Sequence, residues 1–329
     1  MAGIAISTIF GILFLRNTDF DGVANAFTEA NIELILVGIV IYLIGIYFRA
    51  VRWAYLISPI KRIPPYKLFP IVSIGHAANN VLPFRAGEII RAHVLHQRYE
   101  ISRTTGLSTI FIARVFDGMM LTIFLVIGIT AGITHYQGMA FAGYPLLGVM
   151  VFLVFGVSAA FVILYMISAH PAGTEKKVRR LVNIIPRFRN RKTSWVQSII
   201  NGFTAVRSPQ LFFAGAWTSC VAWGLEAFTY FLVGEAFGLD QPFPVYLLVA
   251  AAANIIISAP STAGGVGPFE WAAKEILLIY LIVEGSDELA TAYAASLHGL
   301  VLVPVSLLGL WFLWWSQIPF IRLIRGQTR

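Results

Sequence analysis

Long apolar runs, with the charges gathered between them, dominate this sequence. The runs cover residues 3–15, 34–57, 68–82, 104–134, 143–168, 210–237, 243–259, 269–283 and 289–315. A helix of about 20 apolar residues crosses a bilayer, because every backbone N–H and C=O must find a partner inside the hydrocarbon. Only 12% of the 329 residues are charged and 58% are hydrophobic, whereas an ordinary soluble domain is about 25% charged and about 45–50% apolar. No stretch is left for a large water-soluble catalytic domain. The expected fold is an all-α polytopic membrane protein, one transmembrane domain over residues 1–329. The single cysteine, Cys220, excludes a disulfide framework. The first run lacks the basic start and small-residue cleavage pattern of a signal peptide, so it is expected to be a first helix.

Charge sets the topology. Asp19, Asp21, Glu29 and Glu33 precede the second run, against Arg16 alone. Lys61, Arg62 and Lys67 lie before residues 68–98, and Arg98 and Arg103 at their end. Asp240 stands before residues 243–283, and Glu284, Asp287 and Glu288 follow them. By the positive-inside rule, 68–98 enters from the cytoplasm and returns there, while 243–283 enters from outside and returns outside. Each reads as a re-entrant helical hairpin. Six full spans plus two hairpins then fit every loop, with both termini in the cytoplasm of a prokaryotic cell. The net charge of +8 suits anionic lipid and the cytoplasmic face, and nothing in its pattern suggests nucleic acid. Residues 174–207 place Val178, Leu181, Val182 and Ile185, then Trp195, Ile199 and Phe203 after Pro186, among basic residues. This reads as an amphipathic helix on the cytoplasmic leaflet, with a solvated linker as the alternative.

The two hairpins share an order of residues. Asn80, Pro83, Gly87 and Glu88 in the first correspond to Asn254, Pro260, Gly264–Gly267 and Glu270 in the second, with Asn, Pro and Glu offset by 174, 177 and 182 positions. Each hairpin lies between two long runs, and the charge bias reverses between the units. This is the plan of an inverted repeat, with repeat one at about 34–134, a linking span and amphipathic helix at about 143–207, and repeat two at about 210–316. The prolines end the first half-helices and the glycines permit the turn. The second half-helices, starting near Glu88 and Phe269, present free N–H groups to the tips and favour an anion there. Gly264, Gly265 and Gly267 have the spacing of a phosphate-binding backbone nest.

Several charges interrupt the runs, although one at a helix centre costs about 2.5–3.5 kcal/mol on insertion scales. Glu88 with Arg91, Arg114 with Asp117, and Glu270 with Lys274 have the i,i+3 or i,i+4 spacing of pairs on one helix face. Arg49 and Arg52 either face the bundle or snorkel to the cytoplasmic interface. Glu226 has no basic residue one turn away and is the carboxylate best placed to carry a proton. His76, Asn79 and Asn80 form one polar face leading to the first tip. The alternative for these groups is a set of structural ion pairs and interhelical hydrogen bonds. His93 and His96 have metal-compatible spacing but no further ligand, so no metal and no cofactor are expected. The absence of a P-loop, an HExxH motif and a Gly-x-Ser-x-Gly elbow points away from an enzyme.

Residues 80–91 (NVLPFRAGEIIR), 113–117 (ARVFD) and 260–270 (PSTAGGVGPFE) resemble the lysylphosphatidylglycerol synthase transmembrane region family, over about residues 5–320. The resemblance implies a flippase-like membrane protein. Characterised relatives move a modified phospholipid across the cytoplasmic membrane, and others accompany lipid or glycolipid assembly. Bifunctional relatives carry a soluble synthase domain after the membrane part; this chain runs about a dozen residues past its last span, so the resemblance implies the transport half. The expected function is translocation of a phosphate-bearing, anionic lipid. The residues expected to bind it are Asn79, Asn80, Arg85, Gly87, Glu88, Arg91, Arg114, Asp117, Glu226, Gly264, Gly265, Gly267 and Glu270. The alternatives are a membrane-embedded transferase, or a non-transporting partner of a separate synthase or glycosyltransferase. A homo-oligomer is compatible with either.

Overall fold

The computed structural model describes residues 2–15, 19–82, 86–131, 140–141, 144–170, 173, 175–176, 194–258, 263–281 and 286–316. Helices make up nearly all of it: α1 (Ala2–Leu15), α2 (Phe20–Glu29), α3 (Ile32–Ile57), α4 (Pro65–Val81), α5 (Gly87–Tyr99) and α6 (Arg103–Ala131). They continue with α7 (Leu146–Ala169), α8 (Ser194–Gly202), α9 (Pro209–Ala236), α10 (Phe243–Ile256), α11 (Pro268–Leu278) and α12 (Ser286–Trp315). A minimal antiparallel pair, β1 (Ala140–Phe141) with β2 (Tyr144–Pro145), precedes α7. Among the described residues, α3, α6, α9 and α12 are long and apolar enough to cross a membrane.

Local chemistry sets the helix ends. Asn31 Oδ1 accepts from the N–H groups of Glu33 and Leu34 at 3.0 and 3.3 Å and so caps α3. Pro65 and Pro209 occupy the first turns of α4 and α9, where a missing N–H costs nothing. Helix α4 stops at Val81, two residues before Pro83, because a proline disfavours helical backbone in the residue before it. At the start of α11 the chain turns through Gly264, Gly265 and Gly267, with φ of +69°, +75° and +93°. A side chain would be strained at each.

The packing inverts the soluble pattern. Large apolar side chains such as Val40, Phe213, Leu307 and Trp314 point outward, while Arg49, Arg52, Arg91, Asp117, Glu226 and Lys274 are buried. That is the arrangement expected where lipid covers the outside. Helices α3 and α9 pack along their lengths; a Cβ on Gly45 would sit 3.2 Å from the Ala222 carbonyl oxygen, so glycine lets the two backbones approach. The remaining contacts are reciprocal. The first helix of each hairpin lies on the long helix that follows the other hairpin, α4 on α12 and α10 on α6. Within each hairpin α4 packs on α5 and α10 on α11, and α5 and α11 each pack on their own following helix.

One element was not expected from the sequence. Residues 20–29 form a helix that the apolar runs did not indicate, because it is amphipathic and only ten residues long. Of the expected amphipathic segment, residues 175–176 and 194–207 lie among the described residues, the latter as the helix Ser194–Gly202 and a 3-10 turn at Thr204–Arg207. Helix α8 packs on α6, where Thr105 Oγ1 donates to the Ser198 carbonyl at 2.9 Å. Val178, Leu181, Val182, Ile185 and Pro186 lie outside the described residues.

Candidate functional site between the hairpin tips

The buried charges converge on one place. Asp117 of α6 is the hub. Its Oδ1 accepts from Arg52 Nη1 at 2.7 Å, Trp223 Nε1 at 2.8 Å and Arg49 Nη1 at 3.4 Å, and its Oδ2 accepts from Arg114 Nη1 at 3.1 Å. Arg49 also donates to Glu226 Oε2 at 2.5 Å and lies 4.5 Å over the Trp223 ring. Arg114 Nε donates to Glu88 Oε1 at 2.6 Å. Arg52 further reaches Ser219 Oγ at 3.0 Å. Three guanidinium groups thus face three carboxylates. Buried charge is tolerated where each group is both paired and hydrogen-bonded, as these are.

Beside this network lies a cavity of about 500 Å³. Asn79, Asn80 and Glu88 of the first hairpin line it, and Asn254, Gly264 and Gly265 of the second. Arg49, Arg114, Asp117, Glu226, Trp223, Tyr42, Tyr230, His76, Phe269 and His298 are also part of its wall. The described residues beside the two turns approach each other at its edge. A Cβ on Gly264 would lie 3.3 Å from the Asn80 carbonyl oxygen, and Asn80 Nδ2 donates to Ser306 Oγ at 2.9 Å and to the Leu302 carbonyl at 3.3 Å.

Of the thirteen residues expected to bind substrate, Asn79, Asn80, Glu88, Arg114, Asp117, Glu226, Gly264 and Gly265 line this cavity. Arg85 lies outside the described residues, as do Pro83 and Pro260. Gly87, Arg91, Gly267 and Glu270 do not line the cavity. The N–H of Gly87 donates to Asn79 Oδ1 at 2.9 Å and fastens α5 to α4. Arg91 is turned into the protein, with its guanidinium 4.4 Å over Trp53 and its Nε buried without a hydrogen-bond partner among the described residues. The Gly267 N–H donates to Glu270 Oε2 at 2.8 Å, so the expected backbone nest has one amide taken by a carboxylate of its own helix.

The local pairs need correction as well. Arg114 and Asp117 do pair, but Glu88 turns to Arg114 and away from Arg91. Glu270 meets His298 Nδ1 at 2.7 Å, and Lys274 meets Asp287 Oδ2 at 2.7 Å and the Phe14 carbonyl at 3.0 Å, so these two do not pair with each other. Arg49 and Arg52 are buried ion-pair partners and do not snorkel. Glu226 is not isolated: its cation comes from α3, a helix away. That removes the isolation from which the proton-carrier expectation was argued. Among the described residues no group of three metal-ligating side chains occurs. His96 Nδ1 lies 2.9 Å from the Ile101 carbonyl.

Sequence reasoning passed over Tyr42, Trp223, Tyr230 and His298. A signal for two of them existed: Trp223 and Tyr230 lie at i−3 and i+4 from Glu226, on one face of α9. For His298 the signal was an ionisable residue inside a spanning run, which marks a site by default.

A family model described as the lysylphosphatidylglycerol synthase TM region matches residues 1–309. The chain belongs to this family. Two proteins of Methanothermobacter thermautotrophicus strain Delta H, each named a UPF0104 membrane protein, are similar to it. One is 24% identical over 291 residues, covering 85% of this chain and 84% of its own length. The other is 24% identical over 269 residues, covering 76% and 75%. No solved structure shows a significant match. Membership agrees with the helices long enough to span a membrane, and it makes this an integral membrane protein.

Proposed function

We propose that the chain is a lipid translocase that passes the headgroup of a phosphate-bearing lipid through the cavity between the two hairpin tips. The observation that carries this reading is the cavity itself. It is about 500 Å³, lined by charged and amide side chains together with apolar and aromatic ones, and walled by both hairpins. Charge lining a hollow inside a helical bundle has little use in a scaffold, because burying it is costly unless a polar guest enters.

In this reading the hairpins are re-entrant. Helices α4, α5, α10 and α11 have 17, 13, 14 and 11 residues, too few for any but the first to approach a span of about 20. Length does not separate them from α1, also of 14 residues; the loop charges do. With α1 and α7 read as spans beside the four long helices, the bundle has six spans and two hairpins, with both termini facing the cytoplasm. The reciprocal packing of α4 on α12 and α10 on α6 supports an inverted repeat. Acyl chains stay in the bilayer. Arg114, whose side chain keeps 28% exposure, offers N–H groups beyond the two nitrogens that the carboxylates engage. The reading is of a transporter more than an enzyme; it is supported by the engagement of Glu88 and Asp117, the acid–base candidates of a transferase, with arginine. No cofactor enters the scheme. A separate synthase supplying the lipid is the partner this role requires.

The test uses purified protein in liposomes with a labelled phosphodiester lipid in one leaflet. Faster exchange between leaflets than in protein-free liposomes is expected. No exchange overturns the reading, and a covalent product from an added acceptor establishes the transferase instead.

A further inference from the structure

Two clamps of one design hold the two hairpins, and they differ in a single residue type. Glu88 and Glu270 each lie in the first turn of the second hairpin helix. Each carboxylate is met by a basic side chain from the long helix that follows, 26 residues on at Arg114 and 28 residues on at His298. The distances match, 2.6 Å for Arg114 Nε and 2.7 Å for His298 Nδ1. An arginine is charged throughout the physiological range, whereas a histidine gains or loses its charge within it.

The other ring nitrogen decides which form is present. His298 Nε2 lies 3.0 Å from the carbonyl oxygen of Gly264. A carboxylate and a carbonyl both accept, and a neutral imidazole carries only one N–H. Both contacts are hydrogen bonds only in the imidazolium. The Phe269 ring lies stacked on His298 with centroids 4.4 Å apart, a position that suits a cation.

We propose that His298 is a proton-binding site that latches the second hairpin tip, the imidazolium tying the Gly264 carbonyl to Glu270 and the loss of its proton freeing the tip. The proton leaves Nε2 for solvent in the cavity that His298 lines. The remaining N–H stays on Nδ1, because the charged acceptor makes the stronger bond. The Nε2 lone pair then faces the Gly264 carbonyl, and that contact is lost. The latch is therefore closed on the acidic side and opens as pH rises. Gly264 also touches the first tip at Asn80, and Asn80 is held by Leu302 and Ser306, one and two turns beyond His298 on α12. Opening the latch separates the two tips. Its use in coupling lipid movement to protons rests on the translocase reading; the latch itself does not.

The other ionisable groups near His298 are accounted for by element. On α11, besides Glu270, Lys274 is engaged by Asp287 and Phe14. From α9, Glu226 and Tyr230 face the same cavity, and from α3, Tyr42 and Arg49. Glu226 and Arg49 neutralise each other. Helix α4 contributes His76, the one other imidazole on the cavity wall among the described residues. Helix α2 meets α12 at its far end, where Gly22 lies against Glu288.

The test follows protonation and tip motion directly, in protein reconstituted into nanodiscs. Nitrogen NMR of histidine-labelled protein between about pH 5 and about pH 8 reads the ring states. An imidazolium signal is expected that disappears in His298→Gln, persists in His76→Gln and titrates away as pH rises. A nitroxide on Val266→Cys, an exposed position beside Gly264, with Cys220→Ser, reads the tip. Its mobility should rise over the same pH interval and be high at every pH in His298→Gln. If His298→Gln does not fold, Glu270→Gln replaces it: without the anionic partner the transition should move to lower pH. An unchanging His298 ring, or a label whose mobility ignores its titration, overturns the latch. Neither readout uses lipid, so a protein that moves no lipid would end the translocase reading and leave the latch standing.

Discussion

Arg49 Nη2 donates to Glu226 Oε2 at 2.5 Å across 177 positions of sequence. The same guanidinium reaches Asp117 at 3.4 Å, so one side chain on α3 fastens both α6 and α9. All three side chains are less than one-tenth exposed. Taking away one partner of such a pair leaves a charge stranded in low dielectric, and that cost exceeds the net value of the pair.

Arg49→Ala should therefore lower stability by about 3–5 kcal/mol, and Glu226→Ala by somewhat less, because Arg49 keeps Asp117. The double variant should lose less than the sum of the two, by about 0.5–3 kcal/mol. Thermal unfolding in detergent measures all three. Strict additivity would show that the two side chains do not act as a pair. Glu226→Gln should shift the unfolding midpoint while leaving any pH response of transport in place.

Both ends of the first hairpin should face one side of the membrane. Single cysteines at positions 62 and 98, in a Cys220→Ser background, should both label with an impermeant maleimide from the cytoplasmic side of oriented vesicles. Labelling from opposite sides would make 68–98 a crossing segment and remove the inverted repeat.

Arg114 connects Glu88 with Asp117 at the cavity wall. Arg114→Gln should slow lipid exchange about ten- to a hundredfold, the equivalent of a charged hydrogen bond worth about 1.5–3 kcal/mol, with the folded yield kept. Arg114→Lys should fall between, since an ammonium lacks the fork that holds two carboxylates. If both variants unfold and neither slows exchange specifically, Arg114 belongs to the structural network alone.

Close helix contacts make a sharp contrast among the glycines. A Cβ on Gly309 of α12 would collide with the Ser73 carbonyl oxygen of α4, whereas nothing lies within 4 Å of one on Gly224. Gly309→Ala should cost about 1–3 kcal/mol through overpacking. Gly224→Ala should be neutral or slightly stabilising, since alanine favours the helix by about 1 kcal/mol. Equal midpoints for the two variants would mean that α4 and α12 do not approach as closely as described.

Some of this site was legible in the sequence. Glu88 and Glu270 stand at the starts of short helices that glycine and proline announce, and Arg114 with Asp117 pairs within one turn of one helix. These are local relations, and local spacing predicts them. The partners that cross helices were not legible: Arg49 with Glu226, Glu270 with His298, and Arg91 with Trp53. A membrane helix that is apolar on every side gives no amphipathic signal of which face turns inward. Position alone cannot say whether Arg91 points to the cavity or to the core.

The sequence by itself determined the helical membrane class, the places where helices break, and the charges that hydrocarbon would not tolerate unpaired. Only the tertiary structure decided which charge meets which. Helix rotation and the contact of distant segments arise from packing, and packing has no trace in the spacing of residues along one strand of chain. The same packing set His298 between two acceptors, and so turned an unremarked histidine into the residue with the most to test.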